Sequence, residues 1–198
     1  MDHFHLIDGA LHCEQESLEA IAAAVGTPTY VYSAATMERH ARVMQEAVAG
    51  AGVGEPLVAY AVKANPNAHV LARLGSAGLG ADVVSIGEYR RARAAGIAPD
   101  RIVFSGVGKT EEEMAEALAG GLFQFNVESM EEARTLSAVA AAQGRVAPVG
   151  FRINPDVSAG THAKITTGTA DNKFGVPAAD APAFYAEAAT LPGLAVQG

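Results

Sequence analysis

A chain of 198 residues with 49% apolar and only 18% charged side chains can bury one sizeable core, which excludes a largely disordered protein. The net charge of -8, with 14 scattered Lys and Arg, excludes nucleic acid or an anionic membrane as a partner while leaving room for a small anionic ligand. Cys13 is the only cysteine, no apolar run approaches the roughly 18 residues of a membrane span, and MDHFHLIDG lacks the regions of a signal peptide, so a reducing cytoplasm is the expected compartment.

HFHLIDGALHC alternates apolar and polar residues around Asp8-Gly9, which predicts a hairpin. A short helix follows over 17–25, and TPTYVY (27–32) reads as a further β run. These pieces predict an amino-terminal β/helix segment over residues 1–32. A helix over 34–49, with Met37, Ala41, Met44 and Val48 on one face, opens the second unit, 33–198.

From there short β-rich runs recur: LVAYAV (57–62), ADVVS (81–85), RIVFSG (101–106), FQFNV (123–127), PVGFRIN (148–154) and LAVQG (194–198). Helical patterns over 68–77, 86–95, 111–119 and 130–143 separate the first five, which is the βα alternation of a parallel sheet. The strands are almost wholly apolar, as expected when helices cover both faces. Six such strands fit an open doubly wound sheet or part of an eight-stranded barrel. No glycine-rich dinucleotide turn follows the first strand, which favours the barrel.

Both architectures bind ligands at the carboxyl ends of the strands, and there the chain carries Lys63, Asn65, Ser85, Ser105, Asn126, Glu128, Arg152 and Asn154. Two motifs compete for attention and fail. SGVGKT (105–110) resembles a phosphate loop, but Val103 stands where that loop needs its first glycine, and Thr110 with Glu113 reads better as a capping box. GSAGLGADVV (75–84) precedes a strand instead of following one and reads as a helix C-cap and loop. His3 and His5 can share a strand face but lack a third ligand, so no metal site is expected; His162 has no assigned role, and Cys13 reads as a packed thiol. The polar loop over 156–175, with Lys164, Thr166, Thr167, Gly168 and Lys173, reads equally as a binding loop for an anionic substrate or as a solvated connection.

Lys63 is the sharpest candidate. An unpaired buried ammonium is costly, so a lysine closing an apolar strand is paired, snorkelled to water, or used chemically. Here it ends YAVK, with Asp82 on the next strand, Arg152 ending the fifth, and Ala61 and Ala64 leaving space for a planar ligand. A lysine so placed can condense with an aldehyde, and pyridoxal phosphate is the usual aldehyde cofactor.

YAVKAN (60–65), ADVVSIGE (81–88), IVFSGVGKT (102–110), FNVES (125–129), RINPDVSAGTHAKITTG (152–168) and NKFG (172–175) together resemble the bacterial diaminopimelate decarboxylases, in order and at similar spacing. These are pyridoxal-phosphate enzymes of the alanine-racemase-like barrel fold, related to ornithine and arginine decarboxylases. The resemblance implies an α/β fold, a partial TIM-type (β/α)8 barrel of about six of its eight βα units, behind the amino-terminal β/α segment. It implies pyridoxal 5'-phosphate as cofactor, a small amino-acid substrate, a homodimeric parent, and decarboxylation of meso-diaminopimelate to L-lysine and carbon dioxide. The family's cofactor lysine falls on Lys63, and two further cofactor-binding positions fall on Asp82 and Arg152. The ring-stacking histidine, glycine-rich phosphate loop and carboxy-terminal β domain of the family have no counterpart within 1–198, so the chain is expected to be an amino-terminal portion with little activity of its own. Ile86 stands where many relatives have glycine. Another basic amino acid (ornithine, arginine or carboxynorspermidine) as substrate, or a non-catalytic cofactor-binding fragment, are the alternative readings.

Overall fold

The structure, a computed structural model, describes residues 2–52, 54–155 and 174–198. β1 (Phe4–Ile7) and β2 (Ala10–Cys13) pair antiparallel with Phe4 opposite Cys13, and β3 (Glu16–Ser17) extends the sheet. Asp8 at φ 50° and Gly9 at φ 82° make the tight turn that the Asp-Gly pair predicts. The Ser17 hydroxyl then caps α1 (Leu18–Val25) by accepting from the Ala20 amide.

Residues 27–32 form no strand, contrary to the β run expected there. Pro28 has no amide to give to a ladder, and Tyr30 is 89% exposed, so the segment has neither a full set of donors nor a buried face. Ser33 caps α2 (Ala34–Ala49), and the Glu14 carboxylate accepts from both the Ser33 hydroxyl at 2.8 Å and the Ala35 amide at 2.9 Å. That carboxylate fastens the leading sheet to the start of α2. His3 is used structurally, its Nδ1 lying 2.8 Å from the Thr36 hydroxyl, while His5 stacks near His12. No group of three metal-ligating side chains occurs among the described residues.

The rest alternates as expected: β4 (Ala59–Ala61), α3 (Ala68–Ser76), β5 (Gly80–Val83), α4 (Ile86–Ala94), β6 (Ile102–Phe104), α5 (Glu111–Ala119), β7 (Gln124–Val127), α6 (Met130–Ala142) and β8 (Ala147–Phe151). The run PVGFRIN is broken at Arg152, so that a two-residue β9 (Ile153–Asn154) pairs with β10 (Val176–Pro177) apart from the main sheet. Then come α7 (Ala181–Ala188) and β11 (Leu194–Val196).

The main sheet runs β4-β5-β6-β7-β8-β11, all parallel. Each new βα strand is laid beside the one before it, without the reversal of order that defines a doubly wound sheet. This is how a (β/α)8 barrel grows, and the chain supplies six of its strands. Phe104 and Phe125, fully buried and stacked 6.0 Å apart, anchor a core that also takes in Val62, Leu71, Ile102, Met114 and Leu136. None of the described helices is long and apolar enough to cross a membrane.

Three consecutive helices start alike. Ser85, Thr110 and Ser129 cap α4, α5 and α6, each accepting from the amide of a glutamate three residues on, Glu88, Glu113 and Glu132. Each glutamate reaches back in turn: Glu88 to the Val84 amide, Glu113 to the Thr110 amide, and Glu132 to the Glu128 amide. The expected capping box at Thr110 and Glu113 is therefore one of three related caps, and together they fix the loops at the carboxyl ends of β5, β6 and β7.

Candidate active site

Lys63 does not end a strand. β4 stops at Ala61, and Val62–Ala64 form a 3-10 turn in which Val62 is fully buried while Lys63 points to the exposed side. The sequence Asn65-Pro66-Asn67 makes this turn: the Asn65 amide donates to the Val62 carbonyl, the Asn65 side chain accepts from the Asn67 amide, and the Asn67 side chain caps α3 through the His69 amide. An apolar strand can thus hand a lysine to the rim without burying its ammonium.

Lys63 opens onto a cleft of about 580 Å³ whose other polar walls are Asp82, Ser105, Asn126 and Arg152, with Phe174 at one side. Each comes from a different βα unit, and β4 to β8 deliver them side by side. Asp82 pairs with Ala61 in the ladder, and its Oδ1 is buried with no hydrogen-bond partner among the described residues. Asn126 donates from Nδ2 to the Ser105 hydroxyl at 3.0 Å and accepts from Gln124 Nε2 at 2.7 Å, so the floor of the cleft is a neutral hydrogen-bonded row.

Arg152 is set by two neighbours. Its Nη1 donates to Glu128 Oε1 at 3.2 Å, and its guanidinium lies 4.9 Å over the Phe174 ring. Glu128 is almost wholly buried, and its other oxygen accepts from the Gly175 amide at 3.1 Å. Gly175 has φ 78°, and a Cβ there would lie 2.6 Å from the Arg152 carbonyl, so no other residue fits without displacing backbone.

The structure brings together the three residues singled out from the sequence, Lys63, Asp82 and Arg152, and adds Ser105 and Asn126 from the same polar rim. It does not bring all of that rim in: Ser85 is a helix cap, and Glu128 is turned inward as the partner of Arg152. His162, Lys164, Thr166, Thr167, Gly168 and Lys173 lie outside the described residues. Lys109 was passed over in the sequence together with the rejected phosphate-loop motif SGVGKT. Behind the cleft its amine is paired with Glu132 at 2.6 Å, with a side chain only 1% exposed. The signal that points to it is the glutamate cap three residues after Ser129, whose second oxygen needs a partner.

The chain has many relatives. A relative from Zymomonas mobilis named diaminopimelate decarboxylase is 54% identical over 98% of this chain and 46% of its own length, and one from Pseudomonas aeruginosa with the same name is 50% identical over 100% and 47%. Among solved structures, diaminopimelate decarboxylase from M. jannaschii in complex with L-lysine superposes with a TM-score of 0.89 at 33% identity, covering 100% of this chain and 46% of that one. The Helicobacter pylori enzyme, also with L-lysine, gives 0.82 at 40% identity over 89% and 44%. The chain therefore spans just under half the length of the curated relatives it matches. Residues 34–198 match the family model described as pyridoxal-dependent decarboxylase, pyridoxal binding domain, and with the sheet order and rim described above the chain belongs to that family.

Proposed function

We propose that the cleft binds pyridoxal phosphate through Lys63, and that the chain is the cofactor-binding part of a decarboxylase that converts meso-diaminopimelate to L-lysine and carbon dioxide. The observation that carries this reading is the meeting of Lys63, Asp82 and Arg152 in one cleft at the carboxyl ends of parallel strands. The names of the relatives support the substrate.

The residues fit the cofactor. A buried carboxylate oxygen without a partner costs about 1–3 kcal/mol, and Asp82 Oδ1 is such an oxygen, facing a cleft where a ligand's donor group would satisfy it. Lys63 offers an exposed amine on a short turn, so it can meet an aldehyde carbon without disturbing the core. Arg152 gives one guanidinium nitrogen to Glu128, and among the described residues its others meet no acceptor and can take an anionic group. Pyridoxal phosphate, when bound, supplies the aldehyde and a ring that takes up the electrons released as carbon dioxide leaves. Ser105 and Asn126 present neutral polar groups that orient a ligand without adding charge.

Residues 1–32 are read as an amino-terminal β/helix segment and 33–198 as the barrel unit, a division supported by the separate three-stranded sheet and by a family match that starts at residue 34. The parent enzyme is read as a cytoplasmic homodimer, which the resemblance of the motifs supports and with which the lone, unpaired Cys13 agrees.

Adding pyridoxal phosphate, reducing with borohydride and mapping the modified peptide by mass spectrometry tests the assignment. Label on Lys63 is expected. Label on another lysine in its place overturns the cofactor site. Carbon dioxide release from diaminopimelate, ornithine and arginine, measured on the full-length parent, then tests the substrate; preference for either of the other two overturns it.

A further inference from the structure

Lys109 is a buried cation with no part in the cleft's lining. Its Nζ donates to the Gly106 carbonyl at 2.7 Å, the Asn126 carbonyl at 2.9 Å and Glu132 Oε1 at 2.6 Å, and lies 5.7 Å from the centre of the Phe104 ring. All three ammonium hydrogens are committed, one to a turn, one to a strand and one to a helix start. A buried ion pair of this kind is a weak source of stability, because desolvation offsets most of the attraction, and an apolar pair of similar volume would serve the core as well. What it does supply is a fixed geometry between the β6–α5 turn, the end of β7 and the first turn of α6.

That geometry leads to the cleft by two routes. Asn126, whose carbonyl Lys109 holds, turns its side chain onto the cleft floor. Glu132 uses its second oxygen to hold the Glu128 amide at 2.9 Å, and the Glu128 carboxylate in turn holds Arg152 and the Gly175 amide. We propose that Lys109 is a positioning residue: through Glu132 and Glu128 it sets the Arg152 guanidinium, and through the Asn126 carbonyl the cleft floor, in the arrangement that receives an anionic ligand group. The inference rests on the cofactor reading above and adds to it a residue that never touches the ligand.

Two readouts on the folded protein test it, one of them independent of the cofactor. Lys109→Met leaves Glu132 without its partner, so the paired variant Lys109→Met/Glu132→Gln, which removes both charges and keeps an acceptor for the Glu128 amide, guards against simple misfolding. In the paired variant, hydrogen exchange at the Gly175 amide is expected to quicken at least several-fold while Ala81 in β5 keeps its protection. Unchanged exchange at Gly175, or equal loss at both, overturns the coupling. With pyridoxal phosphate as the probe, the paired variant is expected to need roughly five- to tenfold more cofactor for half-maximal trapping at Lys63, in line with coupling energies between linked neighbours. On an Arg152→Met background the same change is expected to cost clearly less than it does in the parent, because of its two routes only the one through the Asn126 carbonyl remains. Independent, additive losses overturn the proposal. No trapping at Lys63 in the unaltered protein overturns the cofactor reading instead, and the exchange at Gly175 still decides whether Lys109 controls the Glu128 carboxylate.

Discussion

Glu128 holds Arg152 from beneath, Oε1 to Nη1 at 3.2 Å, in a pair whose carboxylate is 4% exposed and whose guanidinium is 39% exposed. The acid is thus the fixed member and the base the one that faces the cleft. Glu128→Ala removes the support for Arg152 and the acceptor for the Gly175 amide together, and a loss of about 2 kcal/mol in urea unfolding is expected, below the full cost of breaking a buried pair because Arg152 can turn to water. Glu128→Gln keeps an acceptor and is expected to lose about half as much. Equal stability of the alanine variant and the parent would show that the pair carries no weight.

Gly175→Ala tests the other side of the same clamp. The new Cβ would meet the Arg152 carbonyl at 2.6 Å, on a residue already at φ 78°, and Val176 donates its amide to that carbonyl at 2.8 Å. The chain must shift or the β9–β10 pairing must open, and a loss of about 2 kcal/mol or more is expected in the same measurement. Gly9→Ala is the control for backbone strain alone, since φ is 82° there but nothing lies within 4 Å, and it is expected to cost less.

Most of the barrel was legible because both its devices are local. Apolar runs such as RIVF and FQFNV, spaced by helices with a Ser/Thr-x-x-Glu start, announce β6, β7 and the loops after them. TPTYVY misled because β propensity counts residue types, whereas a strand needs a neighbour, and Pro28 and the exposed Tyr30 offer it none. The exact seat of Lys63 was not legible either: Ala61 is still extended and the chain turns only over Val62–Ala64, a change that the unbroken apolar pattern does not record. For the site, a strand-end lysine alone left Lys63 undecided; the places of Asp82 and Arg152 on neighbouring strands drew attention to them, and the shared motifs gave them a cofactor-binding role. The role of Lys109 was hidden because its burial depends on Glu132, 23 residues away, and that of Glu128, placed on the rim from the sequence, because its amide partner Gly175 lies 47 residues on. Pairings between loops of different βα units leave no period in the sequence.

The seam between the leading sheet and α2 is expected to be acid-sensitive. Hydrogen bonds from the Ala35 amide and the Ser33 hydroxyl favour the ionised Glu14 carboxyl and hold it below the ordinary glutamate range. A group lowered on folding contributes stability that is full above its unfolded value and is lost as pH falls through the folded one. Glu14→Gln should therefore be less stable than the parent at neutral pH, with the difference shrinking as the pH is taken down below the carboxylate range. A gap in melting temperature that stays constant from pH 7 to strongly acidic solution, roughly pH 3, would contradict this.

Asp82→Asn separates stability from binding. In the ligand-free chain Asp82 Oδ1 is buried and unpartnered, so the aspartate is a cost that folding alone does not recover. Replacing the carboxylate with a neutral amide of the same shape lessens that cost, and the ligand-free variant is expected to melt at the same temperature as the parent or slightly above it. Pyridoxal phosphate, by contrast, is expected to stabilise the parent and to do so much less in the variant, because the amide presents a weaker acceptor to a ligand donor than a carboxylate does. A residue kept for packing would show the reverse, a lower melting temperature without ligand and an unchanged shift with it. The thermal shift of both proteins, with and without pyridoxal phosphate, therefore assigns Asp82 either to the ligand or to the fold.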